Sequence, residues 1–110
     1  MLKKFEIIRP DDWHLHIREG ELMKRVLPFT YNHFQRALIM PNLEDPVFTR
    51  NQALDYRKKI YNCLPKSSTF KPLLTLYLNK YLDFEDIKNA FDEKIIFALK
   101  YYPKGATTNS

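Results

Sequence analysis

The sequence predicts an α/β chain of the order β-α-β-α-β-α-β with parallel strands. Three observations carry this. Short apolar runs take turns with stretches of helical periodicity along the 110 residues. One helical stretch opens on a complete capping-box pattern. One apolar run lacks the polar alternation of a half-exposed strand, as expected of a strand covered on both faces. Strands alternating with helices imply right-handed crossovers and a parallel sheet covered by helices on its outer side or on both sides.

Residues 12–17 form the first extended candidate, and a helix follows over 20–27, with Leu22/Val26 and Met23/Leu27 spaced four apart as on one helical face. Arg36-Ala37-Leu38-Ile39-Met40 is the second strand, stopped by Pro41-Asn42. Thr49-x-x-Gln52 then matches a capping box, opening a helix whose apolar stripe is Ala53, Tyr56, Ile60 and Leu64 before Pro65 ends it. Residues 70–78 include Leu73-Leu74-Thr75-Leu76-Tyr77-Leu78, the strand expected to be buried on both faces. Asp83 can cap a third helix with an inward face of Phe84, Ile87, Ala90 and Phe91, and Ile95-Ile96-Phe97-Ala98-Leu99 is the fourth apolar run. By strand parity Ile96, Ala98, Lys100 and Tyr102 share one face. Two closures are compatible with this order, an open doubly wound sheet or part of a (β/α)8 barrel. A complete barrel needs about 200 residues or more. The chain supplies roughly half of one, and its end at Thr107-Thr108-Asn109-Ser110, with no closing element after the fourth strand, is expected to be a cut.

Composition bounds the function. With 45% hydrophobic and 15% aromatic residues, and 2 Gly against 7 Pro, the chain is a packed globular domain rather than a disordered one. Lys and Arg number 18 against 13 Asp and Glu, but the charges are interspersed, so the net +5 marks no nucleic-acid surface. The single cysteine, Cys63, excludes an internal disulfide and a Cys-rich zinc site, and it suits a reducing compartment. No apolar run approaches the roughly 20 residues needed to span a bilayer, and the first residues lack a signal-peptide core. A cytoplasmic protein that binds neither membrane nor nucleic acid is expected.

Chemistry concentrates at strand ends. His14-Leu15-His16 places two imidazoles on one side of a strand, with Arg18 on the same face. Two neutral imidazoles from one strand end can share a divalent ion. An isolated His-x-His is nevertheless more often an ordinary polar pair. Lys100 ends the fourth apolar run, where an inward-pointing ammonium must be neutral, paired or modified to offset its desolvation. A lysine that snorkels to solvent is the plainer alternative. Asn42 lies in line with Leu38 and Met40, although turn chemistry explains Pro-Asn equally well. His33 has no second ligand at a metal spacing, Cys63 reads as a structural thiol, and Arg57-Lys58-Lys59 fans around its helix as a solvated face.

Taken together, Arg9-Pro10-Asp11-Asp12-Trp13-His14-Leu15-His16-Ile17-Arg18, Met40-Pro41-Asn42-Leu43 and Ala98-Leu99-Lys100-Tyr101-Tyr102-Pro103 resemble bacterial dihydroorotases of the shorter, non-multifunctional type. Ala106-Thr107-Thr108-Asn109-Ser110 extends the resemblance. It covers essentially the whole chain, which would be about the first third of the family's single barrel. It implies the N-terminal half of a (β/α)8 TIM-type barrel in the amidohydrolase superfamily, with residues 1–110 forming part of one domain and no second domain.

The implied activity is the zinc-dependent, reversible interconversion of dihydroorotate and N-carbamoyl-L-aspartate in pyrimidine biosynthesis. By residue matching, His14 and His16 correspond to ligands of the more buried of two Zn2+ or similar divalent ions. Lys100 corresponds to the lysine that is carboxylated to bridge both. Arg18 and Asn42 match contacts to the substrate carboxylate, and Thr107 and Thr108 match the tip of a loop that closes over the substrate. Two further histidines and a proton-shuttling aspartate would come from later strands. The segment alone is therefore expected to be inactive and to need the remainder of the barrel as its partner, with a homodimer also admitted. Another cyclic-amide hydrolase, of hydantoinase or allantoinase type, would share His14, His16 and Lys100, but Arg18 with Asn42 argues against it. A non-catalytic α/β fragment is the second alternative.

Overall fold

Seven elements alternate strictly in the computed structural model, which describes residues 3–103: β1 (Asp11–Leu15), α1 (Gly20–Tyr31), β2 (Arg36–Ile39), α2 (Arg50–Asn62), β3 (Lys71–Tyr77), α3 (Phe84–Asp92) and β4 (Ile96–Lys100). The strands form one sheet in the order β1-β2-β3-β4, and every neighbouring pair is parallel. Each crossover therefore advances one strand in the same direction. With right-handed connections this puts all three helices on one face, as in a sector of a barrel. A doubly wound sheet would reverse its strand order at a switch point.

The core lies between that face and the helices. Ala37, Ile39, Leu74, Leu76 and Ile96 from the strands meet Met23 and Leu27 of α1, Ala53, Tyr56 and Ile60 of α2, and Ile87 and Ala90 of α3. Complete burial of an aliphatic side chain such as Leu27 or Ile39 stabilises the fold by about 1.5–3 kcal/mol. The other face carries the register pairs Leu38–Leu73, Thr75–Ala98 and Tyr77–Lys100. From Pro72 to Tyr77 every residue of β3 is buried, as the unalternating run predicts.

The helices begin where local chemistry says they should. The Thr49 hydroxyl accepts from the Gln52 N–H at 3.1 Å, and Gln52 Oε1 accepts from the Thr49 N–H at 3.1 Å, closing the box that starts α2. Asp83 Oδ1 accepts from the Asp86 N–H at 3.2 Å at the start of α3. The Arg50 N–H donates to Asp86 Oδ2 at 2.9 Å, so α3 also supplies a partner for one of the free N–H groups of α2.

Four local expectations need correction. First, α1 does not stop at Leu27. It passes through Pro28 to Tyr31 and closes with the Asn32 N–H on the Pro28 carbonyl at 3.2 Å, burying Thr30. Proline removes the bond back to residue 24, but it leaves the following carbonyls and the packing of Met23 and Leu27 intact. Of the two spaced pairs on α1, that one is buried, whereas Leu22 is exposed.

Second, α3 presents only Ile87 and Ala90 to the core, and Phe84 and Phe91 are 70% and 39% exposed. Its buried stripe is about one turn long.

Third, β1 ends at Leu15, so His16 and Ile17 lie beyond the ladder.

Fourth, Ile96 does not share a face with Ala98 and Lys100. Leu74 pairs with Ile96 while its neighbour Thr75 pairs with Ala98, so β4 carries one extra residue there. A bulge inverts parity: Ile96 joins the helix-side core, and Ala98 and Lys100 keep the opposite face. β1 carries a matching irregularity, with Asp12 opposite Ala37 but Leu15 opposite Ile39.

Candidate metal and substrate site

The carboxyl ends of parallel strands are where α/β proteins bind ligands, and four chemically active segments meet there. His14 lies near the end of β1, with His16 just after it, and Asn42 follows β2. Tyr77 and Lys100 end β3 and β4. The Met40 N–H donates to the Leu15 carbonyl at 2.8 Å and the Leu78 N–H to the Lys100 carbonyl at 2.9 Å, extending the pairing just past the strand ends.

The two imidazoles converge, with Nε2 of His14 3.1 Å from Nε2 of His16 and the ring centroids 5.0 Å apart. The irregular stretch of β1, between Asp12 and Leu15, contains His14, whose N–H is held by Asp12 Oδ1 at 3.0 Å. Burial, then the charges of Arg18, Lys100 and His14, push the His16 imidazole down to about 4, so it is neutral at neutral pH. Its Nδ1 is buried and has no hydrogen-bond partner.

These observations fit a divalent cation. Two nitrogens about 2.0–2.1 Å from a tetrahedral ion would stand ~3.3 Å apart, close to the observed spacing. Neutral imidazole is also the ligating form. Among the described residues, no group of three or more His, Cys, Asp and Glu side chains gathers around a common point. Further ligands to such an ion must come from another residue type or from elsewhere.

Across the sheet edge, Lys100 Nζ donates to Asn42 Oδ1 at 2.6 Å and lies 5.6 Å from the ring centres of both Tyr77 and Tyr102. Burial, then the charge of Arg18, lowers the Lys100 pKa from its usual value. The ammonium is thus paired and half-buried at the sheet rim rather than extended into solvent. Asn42 is buried; its Nδ2 donates to the Tyr77 hydroxyl at 3.4 Å, and its backbone carbonyl accepts from Arg18 Nη1.

Arg18 reaches this cluster from a left-handed backbone conformation, with φ 51°, in the turn between β1 and α1. The Tyr56 hydroxyl donates to the Arg18 carbonyl at 2.6 Å. Burial, then the charge of Glu19, pushes the Tyr56 phenol well above its usual pKa, so it remains a donor.

His14, His16, Arg18, Asn42 and Lys100 are therefore brought to one end of the sheet. Thr107 and Thr108 lie outside the described residues. The residues set aside from the sequence stay apart from the cluster: Cys63 is a free, partly buried thiol, Arg57 donates to the Lys94 carbonyl at 3.4 Å, and Lys59 pairs with Asp55 at 3.3 Å. Sequence reasoning missed Tyr56 and Tyr77 as parts of the site. Their signal was a phenol where a core calls for Leu or Ile, because a buried hydroxyl needs a partner. Among the described residues no helix is long and apolar enough to cross a membrane.

No family model matches the chain. Over all 110 residues it is 53% identical to a dihydroorotase of Jannaschia sp. strain CCS1, spanning 32% of that protein. It is 52% identical over 109 residues to the mitochondrial dihydroorotase of Oryza sativa subsp. japonica, covering 99% of the chain and 27% of the relative. The chain thus spans about a third of the length of the curated relatives it matches. Among solved structures, dihydroorotase from Saccharomyces cerevisiae in complex with 5-fluoroorotic acid matches with a TM-score of 0.82 and 35% identity, over 92% of this chain and 27% of that one. Dihydroorotase from Campylobacter jejuni matches with a TM-score of 0.83 and 36% identity, over 93% of this chain and 29% of that one. In sequence over its full length and in fold, the chain matches the N-terminal segment of dihydroorotases, a run of four parallel strands from their TIM barrel.

Proposed function

We propose that the chain is the N-terminal part of a dihydroorotase, a cytoplasmic enzyme that opens and closes the ring between dihydroorotate and N-carbamoyl-L-aspartate with two Zn2+ or similar divalent ions. The observation that carries the proposal is the convergence of the histidine pair, 3.1 Å apart at Nε2, with the linked Arg18, Asn42 and Lys100 at the same end of the sheet. In this reading His14 and His16 hold one ion. Lys100, with its pKa lowered by burial, would supply the further donor: its neutral amine would add to carbon dioxide with release of one proton, and the resulting carbamate would offer anionic oxygens for metal binding. When bound, the ions polarise the ring amide carbonyl and acidify water.

The chain's own residues would do the rest by orientation. Arg18 supplies a planar, permanently charged fork that matches a carboxylate. Asn42, held by Tyr77 and by the Arg18 contact to its backbone, offers an amide beside it. Thr107 and Thr108 would close over the ligand and exclude water. A hydantoinase-type ring without a carboxylate would leave the Arg18 charge unmatched. The substrate carboxylate therefore distinguishes the two activities.

The test is Lys100→Ala in the protein that carries the complete barrel, with bound metal measured by mass spectrometry and dihydroorotate turnover assayed in parallel. Loss of at least one ion per site together with loss of turnover is expected. Two retained ions with undiminished turnover would refute the bridging role.

A further inference from the structure

We infer that Tyr56, a residue of the outer helix layer, is the positioning residue that keeps Arg18 aimed across the site; the inference rests on the reading of Arg18 as the contact to the substrate carboxylate. The starting point is a backbone conformation with no intrinsic reason to exist. Just past the end of β1 the chain buries Ile17, 1% exposed, in the core, and it must enter α1 three residues later. It does so by placing Arg18 at φ 51° and Gly20 at φ 63°, with the extended Glu19 between them. Glycine adopts that region freely. Arginine carries a Cβ that crowds the carbonyl there, so the state persists only where its surroundings over-determine it.

Two contacts do so. At the backbone, the Tyr56 hydroxyl fixes the Arg18 carbonyl with a 2.6 Å bond. At the tip of the side chain, Nη1 rests on the Asn42 carbonyl. The guanidinium is thus held from two sides, by α2 and by the segment after β2. Only the first of these contacts can hold the peptide in its left-handed state when the guanidinium exchanges Asn42 for a ligand. Tyr56 is 2% exposed in the apolar stripe between Ala53 and Ile60. Its ring serves the core as Leu or Phe would, and only its hydroxyl reaches the site's supporting turn. Removal of that one oxygen frees the peptide at Arg18 to relax toward negative φ, which swings the guanidinium off its line.

Tyr56→Phe in the protein carrying the complete barrel tests this, because it keeps the ring and deletes the donor. A rise in KM for dihydroorotate of roughly three- to tenfold, the range of one lost hydrogen bond, is expected. kcat and metal content should stay within about twofold of wild type, and a crystal structure should show Arg18 at negative φ with its guanidinium displaced. A variant that keeps both the positive φ and the Asn42 contact overturns the inference. So does a parallel loss of kcat, metal and thermal midpoint, the pattern of a merely structural role. Failure of the enzymatic reading looks different: wild-type protein that binds metal but does not turn over dihydroorotate removes that activity, and the conformation of Arg18 in the variant then decides the role of Tyr56 by itself.

Discussion

Replacement of Arg18 by methionine removes a charge while keeping most of the side-chain volume, and the structure bounds its effect on a neighbour. The His16 imidazole is depressed from 6.5 to about 4 by four causes of the same sign, with burial the largest and Arg18 second. Because burial outweighs the Arg18 contribution, removing the guanidinium should raise the His16 value only in part. Burial remains, so the value stays below 6.5. Lys100, for which Arg18 is the second cause after burial, should titrate higher in the same variant. The assay is a nitrogen-detected NMR titration of His16 in chelator-treated protein, wild type against Arg18→Met, with the complete barrel present. An unchanged His16 value would show that the guanidinium is not held near the imidazole. A return to 6.5 would show that burial is not the main cause. With metal restored, the same variant should lose a charge-assisted carboxylate contact of about 1.5–3 kcal/mol, read as a roughly 10- to 150-fold fall in kcat/KM for dihydroorotate. An unaltered kcat/KM would remove Arg18 from the carboxylate site.

Two further expectations concern stability. The Arg36 hydrogen bond, then its charge, holds the Asp11 carboxyl below its usual 3.8. The stability this supplies is present above pH 3.8 and is lost as the pH falls through the lowered value. The gap in urea midpoint between wild type and Arg36→Ala should therefore narrow from pH 7 to pH 3, and a gap that widens on acidification would contradict the sign; the stacking of Arg36 over Trp13, at 5.3 Å, does not titrate and should leave a residue. Thr49→Ala removes the hydroxyl half of the capping box of α2 and should cost about 1 kcal/mol by equilibrium denaturation. No measurable change would mean that Gln52 alone caps the helix.

The alternation of elements was legible because it depends on local patterns: apolar runs, a capping box at Thr49, an aspartate at position 83 and proline stops. Those signals act within a few residues, and they placed all seven elements in order. What was not legible depends on neighbours. The extra residue in β4 follows from how β4 fits against β3, and it moved Ile96 across the sheet, contrary to simple parity. Phe84 and Phe91 follow the helical period, but their burial depends on how much of α3 the sheet touches. The site showed the same division. His14 and His16 fell together because they are only two residues apart in the chain, although β1 ends at Leu15 between them. Arg18 joins them, but the left-handed turn that carries it there, held by Tyr56, has no counterpart in a strand period. The Lys100–Asn42 bond joins residues 58 apart in the chain, beyond the reach of any sequence period.

Strand order that equals chain order has a kinetic meaning. Each β-α unit lies beside the one synthesised just before it, so most pairings join nearby parts of the chain and ordering can advance unit by unit from the first strand. The histidine pair stands at the end of the first strand of that progression and Lys100 at the end of the last. The pair can form early, but its partners across the sheet edge arrive only when the fourth strand docks. A signal from both ends of the row, such as the influence of Lys100 on His16, would therefore report the final step of assembly.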